Sequence, residues 1–166
     1  IDHLSMRLAN SLVGNENGAA ALEVTFKGPV LKFHTDTIVA VAGAPFVVQL
    51  NGCRVPMFQA VPIKRGDVLN VSSLSSNCGA RCYIAVNGTF DVPEYLGSKS
   101  TFVNGNFGGH QGRALRSGDV IGLGPAVAAT VGAGVPKELI PQFTNAWTIK
   151  VLPGPMANPD FMLDSD

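Results

Sequence analysis

The residues best equipped for chemistry lie between Asp91 and Arg113. This stretch gathers the hydroxyls of Ser98, Ser100 and Thr101, the glycines Gly105, Gly108, Gly109 and Gly112, the ring of His110 and the cations Lys99 and Arg113, with Asp91 and Tyr95 near its start. Such a loop can wrap an anion. Glycines allow close backbone approach and turn successive N–H groups toward a ligand, while arginine offers a planar fork to a carboxylate. The plainer alternative is an irregular connection whose glycines only satisfy turns.

Other chemistries fit less well. A phosphate loop needs a Gly-Lys-Ser/Thr ending, which is missing after Gly105, and the dinucleotide fingerprint needs a strand-turn-helix setting that these glycines lack. No metal site is expected: His3, His34 and His110 are scattered, and Cys78 and Cys82 stand without a second ligand pair. Ser98 or Ser100 with His110 and Asp91 would supply the residue types of a hydrolase triad, but no Gly-x-Ser-x-Gly elbow accompanies them. Asp36 and Asp67 sit near turns and are expected to cap them. Glu16, Glu23 and Glu94 form no paired-carboxylate pattern.

The elements that must position this loop are mainly β. Asp2 to Val13 reads as a short helix with Asp2 as N-cap, an apolar stripe of Leu4, Leu8 and Leu12, and Gly14 as its stop. Beyond it, brief runs rich in β-branched and aromatic residues are each closed by Gly, Pro or Asn. They are residues 22–27, 30–33, 37–41, 46–50, 68–71, 81–86 and 147–152. Asn51-Gly52 is the sharpest hairpin signal, because both residues tolerate positive φ. Lys64-Arg65-Gly66-Asp67 and Arg116-Ser117-Gly118-Asp119 echo one another, and both are expected to be turns entering strands, without a role in function. The apolar run from Gly122 to Gly134 reads as a packed loop or linker. A compact β-barrel or sandwich with one peripheral helix is the expected fold.

Composition bounds the partners. The chain has 166 residues, 46% hydrophobic and only 14% charged, so little polar surface is available to cover a lone globule and buried interfaces are expected. A formal net charge of zero argues against nucleic acid and acidic membrane surfaces as targets. The apolar stretch from Ala126 to Val135 falls short of the ~20 residues a membrane-spanning helix needs. Three cysteines without a framework spacing fit a reducing compartment, so a cytoplasmic location is expected.

Several blocks stand out together: Ala42-Gly43-Ala44-Pro45-Phe46, Leu50-Asn51-Gly52, Gly66-Asp67-Val68-Leu69, Asp91-Val92-Pro93, Tyr95-Leu96-Gly97-Ser98-Lys99-Ser100-Thr101 and the nine residues from Phe107 to Leu115. Through them the sequence resembles the carboxyltransferase domains of urea carboxylase and urea amidolyase, a family that includes the KipI antagonist and a subunit of ATP-dependent 5-oxoprolinase. Arg7-Leu8-Ala9-Asn10 and Leu12-Val13-Gly14-Asn15 add to the resemblance. His110-Gln111 and the tail Leu152-Pro153-Gly154-Pro155 with Pro159-Asp160-Phe161 look more like the urea-carboxylating members.

The resemblance implies a cyclophilin-like β-barrel and transfer of a carboxyl group from carboxybiotin to urea, giving allophanate. It implies a partial carboxyltransferase domain over residues 1–166, with a helical lead-in (1–15), a barrel body (22–121), and a linker with a final strand (122–166) running toward a missing second half. No Met-Lys biotin-attachment motif is present, so biotin is expected on another domain or chain, and ATP only at a separate biotin carboxylase domain. His110, Arg113 and Asp91 are the expected catalytic residues. Tyr95, Ser98, Lys99, Ser100, Thr101, Gly108 and Gly109 are expected to bind substrate. A 5-oxoprolinase subunit and a partner-binding module like the KipI antagonist stand as alternatives, and the 166 residues alone are expected to be inactive.

Overall fold

Asp2 begins the structure as the expected N-cap. In the computed structural model, which describes residues 2–76 and 78–152, its carboxylate accepts from the Ser5 amide at 3.0 Å and the Ser5 hydroxyl at 2.6 Å. Helix α1 then runs His3–Leu12, and Gly14 turns the chain away at φ +76°. The leucine stripe needs correction. Leu4 is 51% exposed, and the buried face is Ser5, Ala9, Asn10 and Leu12. Small residues face inward because the helix lies close against a sheet whose contacting positions are also small.

That sheet has the order β1 (Leu22–Thr25), β8 (Arg81–Val86), β3 (Thr37–Gly43), β6 (Val61–Ile63), all antiparallel. The period-2 alternation of strands sorts its two faces. Val39, Val41, Cys82, Ile84 and Val86 point into the main core, while Ala40, Ala42, Tyr83 and Ala85 face α1. A second antiparallel sheet, β2 (Val30–Lys32), β7 (Val68–Leu74), β4 (Phe46–Leu50), β5 (Cys53–Arg54), adds Phe46, Val48, Leu69 and Val71 to the same core. The layers are therefore helix, sheet, sheet. The fold is mainly β with one short helix, as expected, and the hydrogen-bonded strands form separate antiparallel sheets.

Asn51 (φ +50°) and Gly52 (φ +84°) make the two-residue hairpin between β4 and β5 that the sequence signals. Short strands carry no periodic signal and escape sequence reading: β5, β6, β9 (Phe90–Asp91) and β10 (Gly122–Leu123). β6 contains Pro62 and accordingly occupies a sheet edge. Residues 147–152 are not a strand, and Trp147 is 67% exposed. Their alternation finds no partner strand among the described residues, and the tail motifs from Pro153 onward lie outside those residues. The apolar segment after β10 is tied down at points, with Ala60 and Phe58 bonded to residues 132–135 and Val127 clamped by Asn87, while most of residues 125–132 are exposed.

Asn87 and Asn15 lock the base of the loop that follows β9. Asn87 Nδ2 donates to the carbonyls of Val13 (2.7 Å) and Val127 (2.9 Å), and Asn15 bridges the Val86 carbonyl and the Gly88 amide. The end of α1, the β8–β9 turn and the segment after β10 thus meet at one point. From there β9 and β10, paired at Asp91↔Gly122 and Phe90↔Leu123, project the loop of residues 92–121.

Candidate functional site

The loop is folded on itself. Tyr95 and Ser98 exchange backbone bonds of 2.8 and 3.1 Å around Leu96 and Gly97, and Phe102 pairs with Phe107 across a short 3-10 turn at Val103–Gly105. Its glycines serve this packing. A Cβ on Gly108 would collide with the Ser100 carbonyl, one on Gly109 with the Thr101 hydroxyl, and one on Gly112 with the Asn106 backbone. All three have positive φ. The close approach they permit is therefore first of all to other parts of the loop itself.

Arg113 is held tightly. Its guanidinium meets Asp119 through two parallel bonds of 2.7 and 2.8 Å, and it also donates to the Gln111 side chain (3.0 Å) and the Ala114 carbonyl (2.9 Å). All four terminal N–H donors are thereby used. His110 Nε2 lies 3.7 Å from the same carboxylate. The Arg113 bonds, with the Arg116 amide, hold the Asp119 carboxyl well below the usual carboxylate range, and Asp119 in turn raises Arg113.

Asp119 is the residue that sequence reasoning missed, although the echo of two Gly-Asp turns pointed at it. Asp67 accepts from the Lys64 amide at 2.8 Å, and Asp119 accepts from the Arg116 amide at 2.7 Å. Gly66 and Gly118 have matching φ of +98° and +93°. The two copies are the same turn, as expected, but they differ in what the spare carboxylate lone pairs do. Asp67 takes Asn51 (2.8 Å) and Asp119 takes Arg113, so the second turn does reach the candidate site.

Two clefts flank the loop. The larger, of about 840 Å³, separates Lys99, Ser100, Thr101, Gly109, His110 and Arg113 from the wall formed by β1 and β8. The smaller, of about 650 Å³, runs between residues 14–21 and the segment from Glu94 to Ser100. Six of the ten expected site residues thus line the larger cleft, and Ser98, Lys99 and Ser100 line the smaller. Asp91, Tyr95 and Gly108 line neither. Asp91 is exposed on β9, and the Tyr95 ring packs on Phe107 with centroids 4.7 Å apart.

The opposite wall of the larger cleft holds a pair that sequence reasoning passed over. Tyr83 Oη donates to Glu23 at 2.6 Å, and Arg81 Nε donates to the same carboxylate at 3.1 Å. Burial alone would raise the Glu23 carboxyl, but the bonds from Tyr83 and Arg81 help bring the net shift downward. The Tyr83 hydroxyl is pushed up by burial and by Glu23. The strand alternation of β1 places Glu23 and Thr25 opposite the inward Val24, which was the available signal. Among the described residues no group of three His, Cys, Asp or Glu side chains converges as a metal site, and no helix is long and apolar enough to cross a membrane.

A domain of antiparallel sheets with a cation-bearing loop cleft could serve many anions, and comparison with known proteins narrows the class. Residues 1–165 match the carboxyltransferase domain, subdomains A and B, and the chain belongs to that family. Within it, the chain is 42% identical over 168 residues to urea amidolyase of Saccharomyces cerevisiae, covering 97% of this chain and 9% of that protein. It is 35% identical over 157 residues to a 5-oxoprolinase subunit of Escherichia coli, covering 93% of this chain and 48% of that one. The crystal structure of Kluyveromyces lactis urea carboxylase superposes with a TM-score of 0.80 at 41% identity, over 86% of this chain and 13% of that one. The chain thus spans about a tenth of the urea amidolyase and about half of the oxoprolinase subunit.

Proposed function

We propose that this chain forms part of a centre that moves a carboxyl group from carboxybiotin to urea, yielding allophanate. The observation that carries the reading is the larger cleft. In a carboxyltransferase-family chain it sets apolar walls, including Phe90, Val92, Leu115 and Ile121, beside Lys99 and His110, which suits an apolar ring system ending in a carboxylate. Identity of 42% to urea amidolyase against 35% to the 5-oxoprolinase subunit supports urea over 5-oxoproline.

When bound, carboxybiotin would supply the carboxyl group, which a urea nitrogen would take up in exchange for a proton returned to the ureido nitrogen. The residues of this chain bind and orient. Lys99, His110 and the Gly109 N–H hold the carboxylate, and the hydroxyls of Ser98, Ser100 and Thr101 donate to urea or ureido oxygens. The apolar walls exclude water, which strengthens these interactions. Arg113, occupied by Asp119, acts through the loop conformation that presents Gly109 and His110. Gly108 and the Tyr95 ring maintain that conformation, and Asp91 anchors it at the edge of β9.

That the two facing sheets share one core supports a cyclophilin-like barrel as the fold of the complete domain. Biotin arrives on a carrier domain, ATP is used at a separate biotin carboxylase domain in the cytoplasm, and a second half of the domain completes the site. The test is the full-length protein with Arg113→Ala, whose urea-dependent turnover is expected to fall roughly tenfold or more. Unchanged turnover would remove the Arg113 loop from the reaction.

A further inference from the structure

Three Asn-Gly dipeptides occur in the chain: Asn51-Gly52, Asn87-Gly88 and Asn104-Gly105. Each carries the atoms of one intramolecular reaction, in which the glycine nitrogen attacks the side-chain amide carbon of the asparagine, and glycine leaves that approach open because it lacks a Cβ. What differs is how the amide is held. Asn51 is exposed, yet its side chain is fixed at both ends: Nδ2 donates to Asp67 at 2.8 Å and Oδ1 accepts from the Val68 amide at 2.9 Å. Asn87 is 6% exposed, donates to the Val13 and Val127 carbonyls and accepts from the Val127 amide at 3.2 Å. Asn104 is exposed in the middle of the 3-10 turn Val103–Gly105, and its side chain has no hydrogen-bond partner among the described residues. That turn is held by two backbone bonds of 3.2 Å, from the Gly105 amide to Phe102 and from the Asn106 amide to Val103. A lone exposed 3-10 turn with bonds at the long end opens readily. The loop itself dictates the glycine, since a Cβ on Gly105 would strike the rings of Phe102 and Phe107. The fold therefore keeps the reactive neighbour beside an unrestrained amide.

We propose that Asn104 is a site of spontaneous deamidation that loosens one rim of the candidate site as the protein ages. The Gly105 nitrogen forms a bond to the Asn104 amide carbon, the bond from that carbon to Nδ2 breaks, and ammonia leaves with the proton from Gly105. A five-membered imide remains. Water opens it at either carbonyl, giving aspartate or, where the main chain now runs through the former side chain, isoaspartate. Nothing is oxidised or reduced. Both products put a new carboxylate in the loop, and isoaspartate also lengthens the main chain by one methylene between Phe102 and Phe107. Those two residues close the turn through their backbone bonds and a ring pair with centroids 5.2 Å apart, so the added length is taken up by the turn. Val103, next in the chain, lines the larger cleft, which carries the change to its rim.

Incubation of the full-length protein at pH 8, followed by peptide mapping that separates aspartate from isoaspartate by mass spectrometry, tests the assignment. Asn104 is expected to convert roughly tenfold or more faster than Asn51 and Asn87, because two or three hydrogen bonds must break before either of those amides can turn. In guanidinium-unfolded protein, where those bonds are gone, the three should convert at similar rates. Hydrogen–deuterium exchange of the Gly105 and Asn106 amides should rise in the converted protein. Asn104→Gln, whose longer side chain would have to close a six-membered ring, should show neither conversion nor loosening over the same incubation. Conversion of Asn51 or Asn87 in the native protein as fast as Asn104, or an unchanged native Asn104 beside conversion in the unfolded chain, would overturn the proposal. Exchange that stays the same after conversion would overturn the loosened rim.

Discussion

Gly108 and Gly97 lie in the same loop at the same φ of +74°, yet their surroundings differ. A Cβ on Gly97 would meet nothing within 4 Å, whereas one on Gly108 would collide with the Ser100 carbonyl oxygen and lie 3.2 Å from its carbon. Alanine at either position costs about 1 kcal/mol for a left-handed backbone. At Gly108 the Ser100 carbonyl must also move, although the Phe102–Phe107 pairing holds the neighbouring backbone in place. Overpacking of this kind costs ~1–3 kcal/mol more. Gly108→Ala should therefore raise the opening equilibrium of the loop roughly five- to 150-fold above that of Gly97→Ala. Hydrogen–deuterium exchange of the Phe102 and Gly112 amides, each bonded at 2.9 Å in the closed loop, reads this directly. Equal exchange in the two variants would refute the claim that the glycines exist to pack the loop on itself.

Two further outcomes concern the titrating groups. Asp119 sits below its ordinary value of 3.8 because Arg113 donates to it, so its contribution to stability is fully present above about pH 4 and is lost as the pH falls through the lowered value. The difference in denaturant-unfolding stability between the natural protein and Asp119→Asn should hold from pH 8 to pH 5 and narrow in stronger acid; a difference that stays flat in acid as well would show that Arg113 does not lower Asp119. Burial pushes the Cys82 thiol from 9.0 up to about 12, so the protonated form is favoured by folding, and that contribution persists below pH 9 and is lost as the pH rises toward 12. Alkylation at pH 8, followed by mass spectrometry, should modify exposed Cys53 and spare Cys82 until the chain unfolds, whereas labelling of Cys82 in the native protein would contradict its burial.

Local chemistry made part of this molecule legible in its sequence. The Asp2 cap, the Gly14 stop and the Asn51-Gly52 hairpin are each fixed by neighbouring residues, and each is present. The strands at 46–50 and 81–86 follow from their β-branched runs. What failed depended on distant partners. The apolar residues of 147–152 alternate like a strand but have no strand beside them among the described residues, and the helix turns its small residues inward because Ala40, Ala42 and Ala85 lie beneath it. At the site, the loop itself stood out by composition. Asp119 did not, since its link to Arg113 depends on a turn that folds the chain back. Nor did Glu23, whose importance comes from Tyr83 on a strand 60 residues away.

The central claim is carboxyl transfer to urea at a site that this loop helps to build. The most direct measurement supplies chemically prepared carboxybiotin and isotopically labelled urea to the full-length protein and follows labelled allophanate by mass spectrometry. Allophanate should form with the natural sequence and fall roughly tenfold or more with Arg113→Ala. Intact carboxybiotin with no labelled allophanate, or the same yield from Arg113→Ala, would contradict the account.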